Sequence, residues 1–439
     1  MTRVLLLILF LVCYAHSFSQ SNFVTEWKLT TNQSSIKFET DCPNGDVSFS
    51  WYDFNNTSIN GDGIISQGTE EFEIDSLPLH STIILELEPD NLEGFRVFLS
   101  HPSSNFYSRR ITKVINWGSV EWKSTEKMFL NAINLESIDL DSAPNLSQVI
   151  SMESMFAGCR RLSISSSSTL NWDVSNVENM ATLFSGCEQF NARINTWDTQ
   201  SVKTMMGMFI NCHIYRNDLN LWDTQNVEDM SRMFLNARSF NRDLNDWDVS
   251  NVRDMSYMFA GTQDFNKPLN DWNTENVEDM SYMFSATQSF NNLINNWNVE
   301  NVKNMTFMFQ RAKVFNQDIG QWNPKHVEDM SYMFHYAEKF NQYIGQWNTS
   351  NVRNMENMFS WAYKFNSDLD FWDVSKVKNM RSMFMAAIGF NGKLTNWQTD
   401  SLRNVEGMFY FAYSFNQPIG HFNMSNVKSL NETIQNHKF

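Results

Sequence analysis

A tryptophan recurs every 25 residues through most of this chain, and that period restricts the fold more than any other feature. It stands at Trp172, Trp197, Trp222, Trp247, Trp272, Trp297, Trp322, Trp347, Trp372 and Trp397, and Phe422 holds the eleventh place. No insertion interrupts the series. A unit that tolerates no change of length behaves as one turn of a superhelix, whose apolar side is buried only when neighbours stack on it. One full copy runs Trp247, Val252, Met255, Met258, Phe259, Thr262, Phe265, Asn266, Leu269, Trp272. The composition carries the same message: 25 Met, 36 Phe and 15 Trp in 439 residues supply a large core.

Within a unit, Met230, Met233, Phe234, Ala237 and Phe240 fall at i, i+3, i+4, i+7 and i+10. Such spacing gathers them on one face of a helix and predicts a short helical turn. The residue before the first Met is usually Asp, Asn or Thr (Asp229, Asp254, Asp279, Asn304, Asp329), which suits an N-cap, Thr less well than the others. Around each Trp the apolar residues alternate, as in Trp247 and Val249, which predicts a short strand paired in parallel with its neighbours; Pro324 breaks that pattern once. The expected fold is therefore a repeat solenoid, a leucine-rich-repeat-like α/β superhelix of short parallel strands and short helical turns.

Two further columns bear on stacking. The residue after each Val reads Glu178, Lys203, Glu228, Arg253, Glu278, Lys303, Glu328, Arg353, alternating in sign, and then turns basic at Lys378, Arg403 and Lys428. In-register coils would set each charge between opposite charges. The basic end reads as a solvated edge or as a local anion-preferring patch. The Asn after each Phe, from Asn241 to Asn416, suits a ladder that satisfies turn backbone.

The pattern Val-x-x-Met-x-x-Met-Phe-x-x-Ala-x-x-Phe-Asn-x-x-Ile-x-x-Trp-Asp/Asn resembles the BspA-like surface proteins with DUF285 repeats, over about residues 116–430. That resemblance implies a cell-surface or secreted location and a binding or adhesion role, and it supplies no catalytic residues. Trp117, Trp122, Met128 and Phe129, then Met155, Phe156 and Cys159, mark irregular capping coils over 116–165, ahead of the regular repeats at 166–430 and a polar tail at 431–439.

Upstream, residues 1–20 carry a basic start, an apolar run from Val4 to Val12 and a polar end, which is the anatomy of a signal peptide. The run is too short to span a bilayer. Cys13 offers a lipoprotein alternative, disfavoured by the bulky Val12 before it. Residues 21–115 hold short alternating segments at 35–39, 47–51, 82–87 and 95–99, expected to form a small β-sandwich. It is similar to a PKD-like or Ig-like lead domain, although Trp51-Tyr52-Asp53-Phe54 replaces the usual Trp-Gly-Asp-Gly turn. Asn60-Gly61-Asp62-Gly63 reads as a turn before it reads as a calcium loop.

The net charge of −16 argues against nucleic acid and anionic lipid as partners. Neither a catalytic motif nor a clustered His set is found, so no catalysis, cofactor or metal is expected. The Trp-Asp dipeptide is not a propeller signature at this period. Met-x-x-Met and the Trp column read as core before they read as a copper site or a sugar platform. Cys159, Cys187 and Cys212 occupy a position that is Ala or Thr in later units; they read as small buried residues, with oxidation between stacked neighbours as the alternative. Cys42 has no evident partner.

The sharpest candidate site is Tyr257, Tyr282, Phe307 and Tyr332, in four consecutive coils, two residues after the first Met. On a helical wheel they point away from the core, flanked by Arg232 and Asn357, with His335 and Tyr410 also outward. They read as ladder packing between coils, or as a contact patch for an extracellular protein or a glycan. The expected function is a secreted or cell-surface interaction or adhesion protein, with a carbohydrate-binding module using the aromatic stripe as the alternative. The sequence leaves the oligomeric state open.

Overall fold

The computed structural model describes residues 21–32, 34–97, 106–428, 431 and 433. The apolar leader at 1–20, the last residues of the segment expected at 95–99, and nearly all of the 431–439 tail lie outside the described residues. No helix among the described residues is long and apolar enough to cross a membrane.

Eight strands form in the N-terminal part: β1 (Phe23–Lys28), β2 (Ile36–Asp41), β3 (Val47–Asp53), β4 (Asn56–Ile65), β5 (Glu71–Ile74), β6 (Thr82–Leu87), β7 (Gly94–Arg96) and β8 (Ile111–Asn116). They make a five-stranded sheet in the order β4-β3-β6-β1-β8 and a three-stranded sheet in the order β5-β2-β7. Every pairing between these strands is antiparallel. The two sheets share an aromatic core in which Trp27 meets Phe38 and Phe49 meets Phe72, with ring centroids 6.3 and 5.3 Å apart. Asn60-Gly61-Asp62-Gly63, read above as a turn, lies inside β4. Its glycines face rings on β3: a Cβ at Gly61 would stand 2.7 Å from the Trp51 indole, and one at Gly63 would stand 2.7 Å from Phe49. Among the described residues no group of His, Cys, Asp and Glu is placed to hold a metal ion.

The repeats stack, but not as the expected α/β solenoid. There is no helix among the described residues, and all eight strands belong to the antiparallel sheets. In the repeats, coil-to-coil pairing is reduced to single parallel bridges 25 residues apart, such as Asp229↔Asp254, Asp254↔Asp279 and Asp279↔Asn304. These bridges fall on the residue before the first Met, where a helix cap was expected, and not beside the Trp.

The backbone explains the correction. Arg232 and Asn236 have φ of 58°, and the same two places in the next coils have Tyr257 at 58° with Gly261 at 71°, then Tyr282 at 58° with Ala286 at 59°. A left-handed residue every fourth position cannot belong to a right-handed helix. Met233 N–H donates to the Met230 carbonyl at 3.2 Å and Ala237 N–H to the Phe234 carbonyl at 2.9 Å, closing two successive turns. Positive φ only at the third residue of each marks them as type II. The intervening N–H groups run to the next coil: Met230 to Asp254, Arg232 to Ser256, Phe234 to Met258 and Asn236 to Ala260, at 2.8–3.0 Å. Each coil thus satisfies its backbone alternately within itself and upward, which fulfils the accounting that a helix would have met internally. The Asp before the first Met still accepts from the N–H two residues on (Ser231 to Asp229, 2.8 Å), as an Asx-turn. Around Trp247 the chain makes tight turns, Trp247 N–H to Leu244 and Val252 N–H to Val249, in place of a strand.

Inside the stack the apolar columns are continuous. Successive Phe rings from Phe209 to Phe409 lie 5.5–5.7 Å apart and nearly parallel. From Trp197 to Trp397 each buried indole N–H donates, at 2.8–3.1 Å, to a Leu or Ile carbonyl of the preceding coil. The Met pair of each coil is fully enclosed, as Met255 and Met258 show, so both the Met and the Trp columns are core. The Asn ladder also forms: Asn266 N–H donates to Asn241 Oδ1, and the bond repeats up to Asn416.

β8 joins the two parts. One edge pairs with β1, and the other meets the first coil through a parallel bridge between Lys113 and Ser137. The β8 edge of the five-stranded sheet is thereby partly covered, which weakens it as a template for edge-to-edge association.

The four described cysteines are free and buried. Cys159, Cys187 and Cys212 each place Sγ 3.0–3.1 Å from a Phe carbonyl of the preceding coil. Burial pushes all three thiols well above their ordinary range. They are expected to stay protonated and unreactive in the native protein, since the thiolate is the reactive form. Alkylation at neutral pH, followed by mass spectrometry, should modify them only after denaturant is added. Labelling of the native protein at the unfolded rate would contradict this.

Candidate functional site

The aromatic column is built by the type II turns. Tyr257, Tyr282, Phe307 and Tyr332 each occupy the third turn residue, with φ of 58–60°. That position points outward from the coil, so the residues are surface-facing for a reason other than the helical one expected. Glycine is the residue that suits this seat. A bulky side chain there costs about 1–2 kcal/mol.

The rings form one ladder. Their centroids are separated by 4.2, 4.3 and 4.5 Å, with planes 7° apart at each step. Aromatic pairs add about 0.5–1.5 kcal/mol beyond area burial. Stacking offsets part of the backbone strain, and the apolar area that each half-buried ring removes from water offsets more of it. All four residues are half-buried. Because each inner ring face lies against a neighbour, what solvent meets is mostly ring edge and phenol oxygen.

Both ends of the ladder are capped. Arg232 stands over Tyr257 at 5.2 Å. At the other end, the Tyr332 hydroxyl donates to Glu356 Oε1 at 3.4 Å, and His335 meets Tyr332 edge-on at 5.4 Å. Burial in the ladder, then the neighbouring Tyr257, pushes the Tyr282 hydroxyl up to about 12. Burial, then Glu356, raises that of Tyr332.

Four residues further along each coil, the second left-handed position continues the surface with residues the sequence reading missed. Arg311 lies 6.0 Å over Tyr336, and Tyr336 stacks on Trp361 at 5.1 Å and 9°. The signal was available as a column displaced by four residues, but a helical wheel scatters it. His335 and Tyr410, expected to project outward, are only half-exposed. His335 lies edge-on to Tyr336 at 4.6 Å, and its buried Nδ1 has no hydrogen-bond partner among the described residues. Burial, then the Arg311 cation, pushes this imidazole down to about 4, so it is neutral at physiological pH. Tyr410 packs on Phe411 at 3.9 Å.

A second surface runs along the charge column. Lys203 meets Glu178 at 2.6 Å, Lys303 meets Glu278 at 2.5 Å and Arg353 meets Glu328 at 3.2 Å, each across one coil step. Lys303, and on the other side Arg253, hold the Glu278 carboxyl below its usual value. Beside this column runs a column of amides, and between the two lies a groove of about 400 Å³ lined by Arg253, Asn276, Glu278, Asn301, Lys303 and His326.

Fold and surface together define a tandem-repeat protein whose one-turn coils stack in register and carry outward side-chain columns. The chain belongs to the DUF285 family: the family model described as "Mycoplasma protein of unknown function, DUF285" matches residues 105–170, 163–271, 262–369 and 339–439, well over half of its length. No curated protein and no solved structure matches it significantly.

Proposed function

We propose that this chain is a secreted or cell-surface recognition protein, without catalysis, that contacts an extracellular protein through the ladder Tyr257, Tyr282, Phe307 and Tyr332. The leader-like residues 1–20 and the resemblance to BspA-like surface proteins support the location. The observation that carries the site is its placement. Four aromatics occupy successive left-handed turn seats, which suit glycine and which the turns do not require to be filled by a ring, and they form one continuous half-buried ladder on the outside of the coils. Aromatic rings flanked by an arginine are the side chains that dominate protein interfaces. A protein surface can use ring edges and phenol oxygens, whereas a sugar platform needs an open ring face, so the ladder favours a protein over a glycan.

The test is a binding screen of the protein against extracellular proteins, beside a variant with all four residues changed to Gly. Gly fits the turns without strain, so the variant is expected to fold, with a Tm lowered by the lost ring burial and by the freer unfolded chain. A partner bound by the parent and lost in the variant supports the site. A partner retained by the variant would return the ladder to packing between coils.

A further inference from the structure

The alternation of the charge column ends at Arg353. The next three positions are Lys378, Arg403 and Lys428, so four cations occupy four successive coils. The backbone keeps them in register: Lys378 N–H donates to the Arg353 carbonyl at 2.8 Å, Arg403 to Lys378 at 2.9 Å and Lys428 to Arg403 at 3.4 Å. At the usual spacing of paired backbones, the column is about 14 Å long. All four are exposed, and Lys378, Arg403 and Lys428 make no ion pair among the described residues. Lys376, in the neighbouring column, adds a fifth cation and holds Asn351 Oδ1 at 2.9 Å.

Earlier in the chain the same column is neutralised coil by coil, and the fold requires nothing else of it. Stacked like charges oppose the stack, so the switch to a single sign works against folding. In a chain of net charge −16, a basic column whose last three members make no ion pair among the described residues also stands against the global field. Its surroundings are hydrophilic. Each coil reads polar-apolar-basic, as in Asn351-Val352-Arg353 and Ser401-Leu402-Arg403, with Val352, Val377 and Leu402 buried beneath. A protein interface would want an apolar centre, and none of these outward residues supplies one. A hydrated linear polymer with one anionic group per unit fits better.

We infer that Arg353, Lys378, Arg403 and Lys428, with Lys376 and Asn426 beside them, form a binding strip for an acidic polysaccharide. The anionic group is a carboxylate or a sulfate. The cations take the anions by charge-assisted hydrogen bonds, and binding removes the repulsion along the column. This inference rests on the recognition reading above only for where such a polymer is met, because the strip is a different column from the aromatic ladder.

The test measures binding of polygalacturonate, dextran sulfate and neutral dextran to the full chain by titration calorimetry at low and moderate salt. Arg403→Glu sets a carboxylate between Lys378 and Lys428 and leaves Arg353 beside Lys378 as before, so its Tm is expected to equal or exceed that of the parent while its affinity falls at least about tenfold. Arg403→Gln, which only removes charge, should show a smaller loss. Binding of one or both anionic polymers, weakened by salt and lost in Arg403→Glu, supports the strip, and the polymer bound identifies the anion. Retention of that binding when the ladder is changed to Gly separates this result from the fate of the protein-contact reading. Undiminished binding by Arg403→Glu, equal binding of neutral dextran, or no binding of either polyanion would overturn the inference. Equally tight binding of duplex DNA would overturn its assignment to a polysaccharide.

Discussion

Replacing Phe309 by Ala is expected to lower the unfolding free energy by about 3–5 kcal/mol. Phe309 is fully buried and touches rings in three directions: Phe284 at 5.7 Å below, Phe334 at 5.5 Å above and Phe315 at 4.1 Å within its coil. Removing it opens a cavity that two coils share and that neither can fill, because both are fixed by backbone bonds on their far sides. In a stack with only nearest-neighbour contacts, a mid-column defect also weakens the coupling between the halves. Urea unfolding should therefore show a lower midpoint and a broadened or split transition. The control is Phe371→Ala, at a side chain 70 % exposed, which should change stability by less than about 0.5 kcal/mol. Similar losses for the two variants would mean that the Phe column is not the stabilising core.

Gly118→Ala should cost about 2–5 kcal/mol, from left-handed strain plus a forced shift of backbone. Gly118 has φ of 65°, and an added Cβ would fall against the Ser21 carbonyl oxygen and 2.6 Å from the Asn22 carbonyl carbon. Backbone cannot rotate away as a side chain can. The segment it would displace leads into β1, whose Phe23 packs against Trp122 at 5.1 Å and Trp117 at 6.1 Å. The damage is thus expected where the sheets meet the first coil, and hydrogen exchange should show β1 loosened while the later coils stay protected. Gly68→Ala is the comparison: φ is 73° there, but no atom lies within 4 Å of the added Cβ. It should cost only the strain, about 1–2 kcal/mol. Equal losses at the two glycines would show that close approach at Gly118 contributes nothing.

Most of the repeat architecture was legible because it is written in columns. The Trp, Phe and Met columns, the Asn ladder and the alternating charges each repeat every 25 residues, and each one forms a vertical contact. What the sequence concealed was the path of the chain between them. A spacing of i, i+3, i+4 and i+7 suits a helix face, but it equally suits the ends of two successive type II turns, since both return the chain to the same side after three residues. Met230, Met233, Phe234 and Ala237 satisfy both. The distinguishing signal was Gly207 and Gly407 in one column and Gly158, Gly186 and Gly261 in the other, seats that only a left-handed residue fills comfortably. Tyr, Phe, Arg and Trp in those seats elsewhere masked it. In the N-terminal part, β4 escaped notice because its polar Asn-Gly-Asp-Gly run looks like a turn, whereas its glycines serve to let Trp51 and Phe49 lie flat across the neighbouring strand.

The alternation of sign along the charge column bears on inheritance. A coil with the same contacts above and below is easily duplicated or lost by unequal recombination, and any whole coil leaves the apolar columns continuous. The charges distinguish odd from even numbers of coils. Excising one coil between Glu178 and Arg353 would bring two like charges together, whereas excising two restores every attraction. Loss of two coils in this stretch therefore keeps every attraction, whereas loss of one creates a like pair of the kind the fold already carries between Arg353 and Lys428, at a cost of up to about 1 kcal/mol.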